Sequence, residues 1–173
     1  MKHTYLLLSF LLANPIKENS EKHIFSQFSK EINISMHTFT LNDRTKTLVQ
    51  NQSKQVFYRD KLYYWKISKN DTTIAHAFLD NVKGKSMPIT FMVIINLDGS
   101  IKNSAIIKYR EAYGGEISNK RWLQQFIGKN NDSKYEIGKE IDGITGATIS
   151  VHSVSKGIRK IAILYDHVKD NLD

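Results

Sequence analysis

Hydrophobic positions in the middle of the chain follow a period of two. KLYYWKIS (61–68) and TIAHAFLD (73–80) are rich in aromatic and β-branched residues, and the NDTT between them supplies a turn. That spacing predicts a hairpin. ITFMVIIN (89–96) is a continuous apolar run, which predicts a strand buried on both faces. Asp98-Gly99 reads as a tight hairpin turn. SIKNSAIIKYRE then returns as a further strand, with Ile101, Ala105, Ile107 and Tyr109 at alternate positions. The expected product is a mainly antiparallel meander over residues 55 to 110.

The period then lengthens. SNKRWLQQFIG (118–128) places Trp122, Leu123 and Phe126 on one helical face, with Gly128 as the stop. After a polar connection, ISVHSVSKGIRKIAILYDHVKD carries Val151, Val154, Ile158, Ile161, Tyr165 and Val168 as one stripe, and Ser150 is a candidate cap. Upstream, Ile24, Phe28 and Ile32 recur every fourth residue, one face of a helix. Residues 41 to 54 read as a second helix or an irregular linker, with Asn42 or Asp43 as cap and Leu48 and Val49 as packing residues. The fold class expected is α+β: a twisted, mainly antiparallel sheet covered by helices.

At the N-terminus, Lys2 precedes an apolar block from Tyr5 to Ala13 that breaks at Asn14-Pro15. The block is shorter than the ~20 residues a bilayer-spanning helix needs. It fits a short signal peptide or anchor over residues 1–15, and the alternative is a buried N-terminal helix. Residues 16–54 would form an N-terminal helical or linker segment and residues 55–173 the main domain. The signal reading implies export, to the periplasm or the outer face of the cytoplasmic membrane.

Composition narrows the chemistry. With 173 residues the chain is long enough to bury a core without staples. It has no cysteine, which excludes disulfides, thiolate metal sites, iron–sulfur clusters and thioether haem. The histidines at 23, 37, 76, 152 and 167 show no ligand spacing, so no metal site is expected. The net charge is +8, but the cations are scattered and no nucleic-acid motif accompanies them. No GxSxG elbow is present to support a serine hydrolase.

One segment carries a chemical signal. DGITGATIS (142–150) sets Gly143, Thr145, Gly146 and Ala147 directly before the terminal helix. A small-residue turn lets a ligand approach backbone, and a helix start presents unpaired N–H groups that attract anions. From the residues alone this is either an anion site or a plain helix-capping turn. His152 and Lys156, on the first turns of that helix, are candidate phosphate partners.

The same nine residues resemble the Asp-x-x-Ser/Thr-Gly-Ala-Thr-x-Ser/Thr signature of the FMN-binding domain family, which includes subunits of membrane redox complexes. Met87-Pro88-Ile89-Thr90, Asp98-Gly99, the 109–116 loop and Phe126-x-Gly128-Lys129 fall in the family's order, so the similarity runs from about 55 to 168. The resemblance implies FMN joined through its phosphate to Thr148 by a flavin transferase, with Asp142, Thr145, Gly146 and Ala147 around the attachment. In the loop that meets the flavin ring, respiratory members carry Glu-Thr-Pro-Gly, whereas this chain has Arg110-Glu111-Ala112-Tyr113-Gly114-Gly115-Glu116. That departure is closer to stand-alone members. It makes Glu111, Tyr113, Gly114 and Gly115 the expected ring contacts. What the resemblance implies is an exported electron-transfer component, exchanging electrons with membrane redox proteins and not a complete enzyme. The alternatives are a module that binds a phosphate ligand reversibly and a flavin-dependent reductase.

Overall fold

In the computed structural model, residues 14–28 and 31–172 are described. The signal or anchor reading lies outside them, apart from Asn14 and Pro15. These two begin helix α1 (Pro15–Ser26): the Asn14 side chain accepts from the Ile16 amide, and Pro15 takes the first helical position, where its missing N–H costs nothing.

Five strands form one antiparallel sheet in sequence order. They are β1 (Asn33–Thr40), β2 (Lys61–Lys69), β3 (Thr72–Lys83), β4 (Pro88–Asn96) and β5 (Ile101–Lys108). The meander read from the period of two is therefore present, with one strand more than expected. Residues 33–40, read as part of a helical or linker segment, form the edge strand and pair with β2 along their whole length, from Asn33–Ser68 to Thr40–Lys61. NISMHTFT has exposed positions on both faces, so its apolar pattern is weak, and pairing with β2 decides its conformation. The helix expected through Ile32 also ends earlier, at Ser26. Ile24, Phe28 and Ile32 do join a common apolar cluster, but Ile32 reaches it from the chain entering β1.

The central strand explains why its run is unbroken. Phe91, Val93 and Ile95 point to one face of the sheet, and Met92 and Ile94 to the other. The first face is covered by α4 (Thr148–Val168), α2 (Asp43–Ser53) and the short α3 (Lys120–Leu123). α2 is a true helix, capped by Asn42, whose side chain accepts from the Thr45 amide at 2.8 Å. All six stripe residues of α4 are buried, and each such side chain contributes roughly 1.5–3 kcal/mol by leaving water. Gly157 sits where α4 crosses the sheet: a Cβ there would stand 2.6 Å from Val82 Cγ1 and 2.9 Å from Phe91 Cζ. The opposite face is covered only in part, by α1 against Trp65, Ile67 and Met92.

One α4 residue breaks the apolar pattern. Lys160 is fully buried, with Nζ 2.8 Å from Asp80 Oδ2 and 2.7 Å from the Val56 carbonyl oxygen, over the Phe57 ring. Burial pushes the Lys160 ammonium below its ordinary pKa and the Asp80 carboxyl above its own, and their mutual attraction opposes both shifts. No described helix is long and apolar enough to cross a membrane.

Candidate functional site

The site is built where two loops meet the start of α4. The first loop leaves β5 at Tyr109 and runs through Glu116. The second, 142–147, leads into the helix. Residues Ala112–Glu116 of the first and Thr145–Gly146 of the second line one depression of about 310 Å³. Four of the expected contacts, Tyr113, Gly114, Gly115 and Thr145, thus share a wall with a fifth, Gly146. Tyr113 is 87% exposed, an aromatic ring held in solvent at the edge of this depression.

Gly114 must be glycine. Its φ is +83°, and an added Cβ would lie 2.9 Å from Tyr109 Oη and 3.2 Å from Ala147 Cβ. Gly146 also needs the left-handed region, with φ of +82°. These two glycines let the loops close on one another.

Tyr109 supplies the link between the loops. Its hydroxyl donates to the Tyr113 carbonyl and lies 3.2 Å from Ser150 Oγ. The sequence pattern marks Tyr109 only as an alternating strand position. Nothing local singles out its hydroxyl, because its partners are four and 41 residues away. Trp122 and Gln125 escape sequence reasoning for the same cause. Trp122 Nε1 donates to the Asp142 carbonyl and the Asp142 amide donates to Gln125 Oε1, each at 2.8 Å, so α3 and the turn after it hold the backbone of the second loop.

The start of α4 differs from expectation. Ser150 is not its cap: it is buried inside the first turn beside Tyr109. The cap position is Ala147, which has no side-chain acceptor to offer. Val151 N–H bonds to the Ala147 carbonyl, so the amides of the preceding first-turn residues have no helical acceptor. A helix start left in this condition favours an anion. Thr148 is the first helical residue and its side chain is exposed; Asp142 is exposed as well. His152 and Lys156 are exposed on the next two turns.

Glu111 takes another position. Its carboxylate accepts from the Ser86 amide at 2.7 Å and the Met87 amide at 3.0 Å, and it does not line the depression. These two amides hold its pKa below the usual carboxylate range. The sequence places Glu111 at the ring because it precedes the loop; the fold uses it to latch the 84–88 turn.

Comparison with known proteins places this geometry. Residues 84–162 match the sequence model of the FMN-binding domain. Over that span the chain is similar to the FMN-binding domain family. Both loops of the depression lie inside the matched segment. The G component of the proton-translocating ferredoxin:NAD(+) oxidoreductase complex of Clostridium ljungdahlii is 27% identical over 126 residues, covering 69% of this chain and 68% of that one. The crystal structure of Shewanella oneidensis NqrC has the same fold, with a TM-score of 0.60 at 14% identity over 86% of this chain and 88% of that chain.

FMN is the cofactor of this family, and the residues present fit it. The FMN-binding domain offers an uncapped helix start for a phosphate, a hydroxyl at its first residue, and a glycine-walled depression with an exposed aromatic for a planar ring. Among the described residues no group of acidic or histidine side chains is placed to hold a metal.

Proposed function

We propose that the chain is an exported electron-transfer flavoprotein with FMN esterified to Thr148 through its phosphate. The observation that carries this reading is the uncapped start of α4: a solvent-exposed hydroxyl on its first residue, beside amides with no helical acceptor. An alkyl phosphate at that oxygen would receive the amides a capping side chain usually satisfies. Tyr113, Gly114 and Gly115 would bound the ring. Asp142, exposed and with its backbone pinned by Trp122 and Gln125, would present the segment to a flavin transferase.

Bound FMN supplies reversible electron uptake; the protein supplies orientation and environment. A covalent tether suits a protein working away from the cytosolic flavin pool, because a dissociated cofactor could not be recaptured. Electron donors and acceptors would be membrane redox proteins. The clostridial relative named above is a subunit of a larger complex, and a carrier with an exposed ring edge fits that kind of role.

Intact-mass measurement of protein co-expressed with a flavin transferase tests the reading. One FMN should be added, localised to the 140–156 peptide. Thr148→Ala should take up none, while Thr145→Ala should still be modified. Flavin that leaves on acid precipitation would support reversible binding, and an unmodified Thr148 with transferase present would overturn the proposal.

A further inference from the structure

A second cavity, larger than the depression, lies away from the proposed flavin site. It is a groove of about 660 Å³ on the half of the sheet that α1 leaves uncovered. Met36, Tyr63 and Leu79 form its apolar floor, one residue from each of β1, β2 and β3, and the buried Trp65 lies at the edge that α1 covers. Tyr58 and Met87 stand on its sides, 53% and 44% exposed. Such a volume is in the range of ordinary ligand sites.

Its charge is one-sided. Lys17, Arg59, Lys61, Lys83 and Arg110 line it against a single carboxylate, Asp80. Asp80 is buried and already paired with Lys160. Arg110 is held in place: its Nη1 donates at 2.9 Å to both the Pro88 carbonyl and Thr90 Oγ1. An apolar floor under a cationic rim suits a molecule with an acyl chain and an anionic head.

The root of the groove points to where such a molecule would come from. Asn14 and Ile16 line it, and Asn14 directly follows the apolar block from Tyr5 to Ala13. That block is too short to span a bilayer, and apart from Ser9 it is apolar throughout. Tyrosines beside lysines and arginines are the residues that settle at a lipid–water boundary. We propose that this groove binds an anionic phospholipid of the membrane surface, with the phosphodiester at Arg110, Lys61 and Lys83 and acyl methylenes over Met36, Tyr63 and Leu79. The groove and the flavin depression are joined by the short run from Arg110 to Gly115, so lipid binding would orient the flavin site relative to the bilayer. The binding itself does not depend on the flavin reading.

The test uses the full chain and monomeric dihexanoyl phosphatidylglycerol, with dihexanoyl phosphatidylcholine, inorganic phosphate and a poly-glutamate peptide as comparisons, followed by NMR shifts. Phosphatidylglycerol should bind and shift residues of the groove floor, with phosphatidylcholine and phosphate each at least tenfold weaker. Lys61→Glu combined with Lys83→Glu should weaken that binding at least tenfold. Lys54→Glu combined with Lys134→Glu changes net charge equally, away from the groove, and should leave it within twofold. In co-sedimentation, the groove variant should lose its preference for phosphatidylcholine vesicles containing phosphatidylglycerol over vesicles without it. Equal loss in both double variants would mean that net charge alone is responsible, and tighter binding of poly-glutamate would assign the groove to an acidic protein; either result overturns the proposal.

Discussion

The two parts of α4 treat polar groups in opposite ways. At its start, Ala147 offers no cap, the first amides find no helical acceptor, and Thr148 stands in solvent. Three turns on, Lys160 is sealed from water with an ion pair, a backbone carbonyl and an aromatic ring all satisfying one ammonium. The first region leaves hydrogen-bonding capacity open; the second closes it. Open capacity at a surface costs little, since water can fill it, and it remains available to a ligand. Closed capacity in the core ties α4 to β3, at the risk of a stranded charge if either partner is lost.

Altering the two regions should therefore separate function from stability. The largest effect is on flavin: Thr148→Ala should lose all acid-stable FMN in mass spectra while shifting the unfolding free energy by less than about 0.5 kcal/mol, as expected for an exposed residue. Lys160→Met should do the reverse. Leaving Asp80 buried without its partner costs about 3–5 kcal/mol, read by urea unfolding. Adding Asp80→Leu should recover most of that loss, and failure to recover would assign the effect to packing in place of charge.

Smaller changes sharpen the contrast. Gly157→Ala should destabilise by about 1–2 kcal/mol, because overpacking against Val82 and Phe91 outweighs the helix-propensity gain of up to about 1 kcal/mol. A stabilised variant would show that α4 can ride higher on the sheet. Tyr109→Phe removes the hydroxyl linking Tyr113 to Ser150 and should cost about 1 kcal/mol. It should also slow flavin loading in a timed transferase assay without preventing it.

The least effect at neutral pH is one that grows in acid. His76 packs against Tyr64 and Tyr165, and burial, then Lys66 and His37, push its pKa down to about 4. The unfolded chain holds the ordinary histidine value near 6.5. Because the folded value is the lower one, the unfolded state takes up a proton first as pH falls. Stability from this group is complete above about pH 6.5 and declines between there and about 4. His76→Gln should flatten that part of the curve of unfolding midpoint against pH.

Much of this is legible in the sequence, and the exceptions have a pattern. The strands from 61 to 108 and the α4 stripe announce themselves because each buries a face wholly determined by its own periodicity. β1 does not, since an edge strand with mixed exposure takes its conformation from its neighbour. Thr145 and Gly146 can be named because a glycine turn and a helix start are local features, whereas Gly114 and Tyr113 are named only through the resemblance of their loop to the FMN-binding domain family. Tyr109, Trp122 and Gln125 escape notice because they act on backbone groups across loops. Glu111 is drawn to the ring by its position in the loop, whereas the fold brings the 84–88 turn within reach of its carboxylate.

Period and turn chemistry alone determined that this chain would make an antiparallel sheet with an amphipathic helix behind a small-residue loop, because those preferences reside in neighbouring residues. Only the tertiary structure decided which polar groups are closed and which stay open. It buried Lys160 against Asp80, left the start of α4 without a cap, and opened a cationic groove on the half of the sheet α1 does not reach. Each of those outcomes depends on residues far apart in sequence competing for the same space, and that competition is settled only when the elements pack.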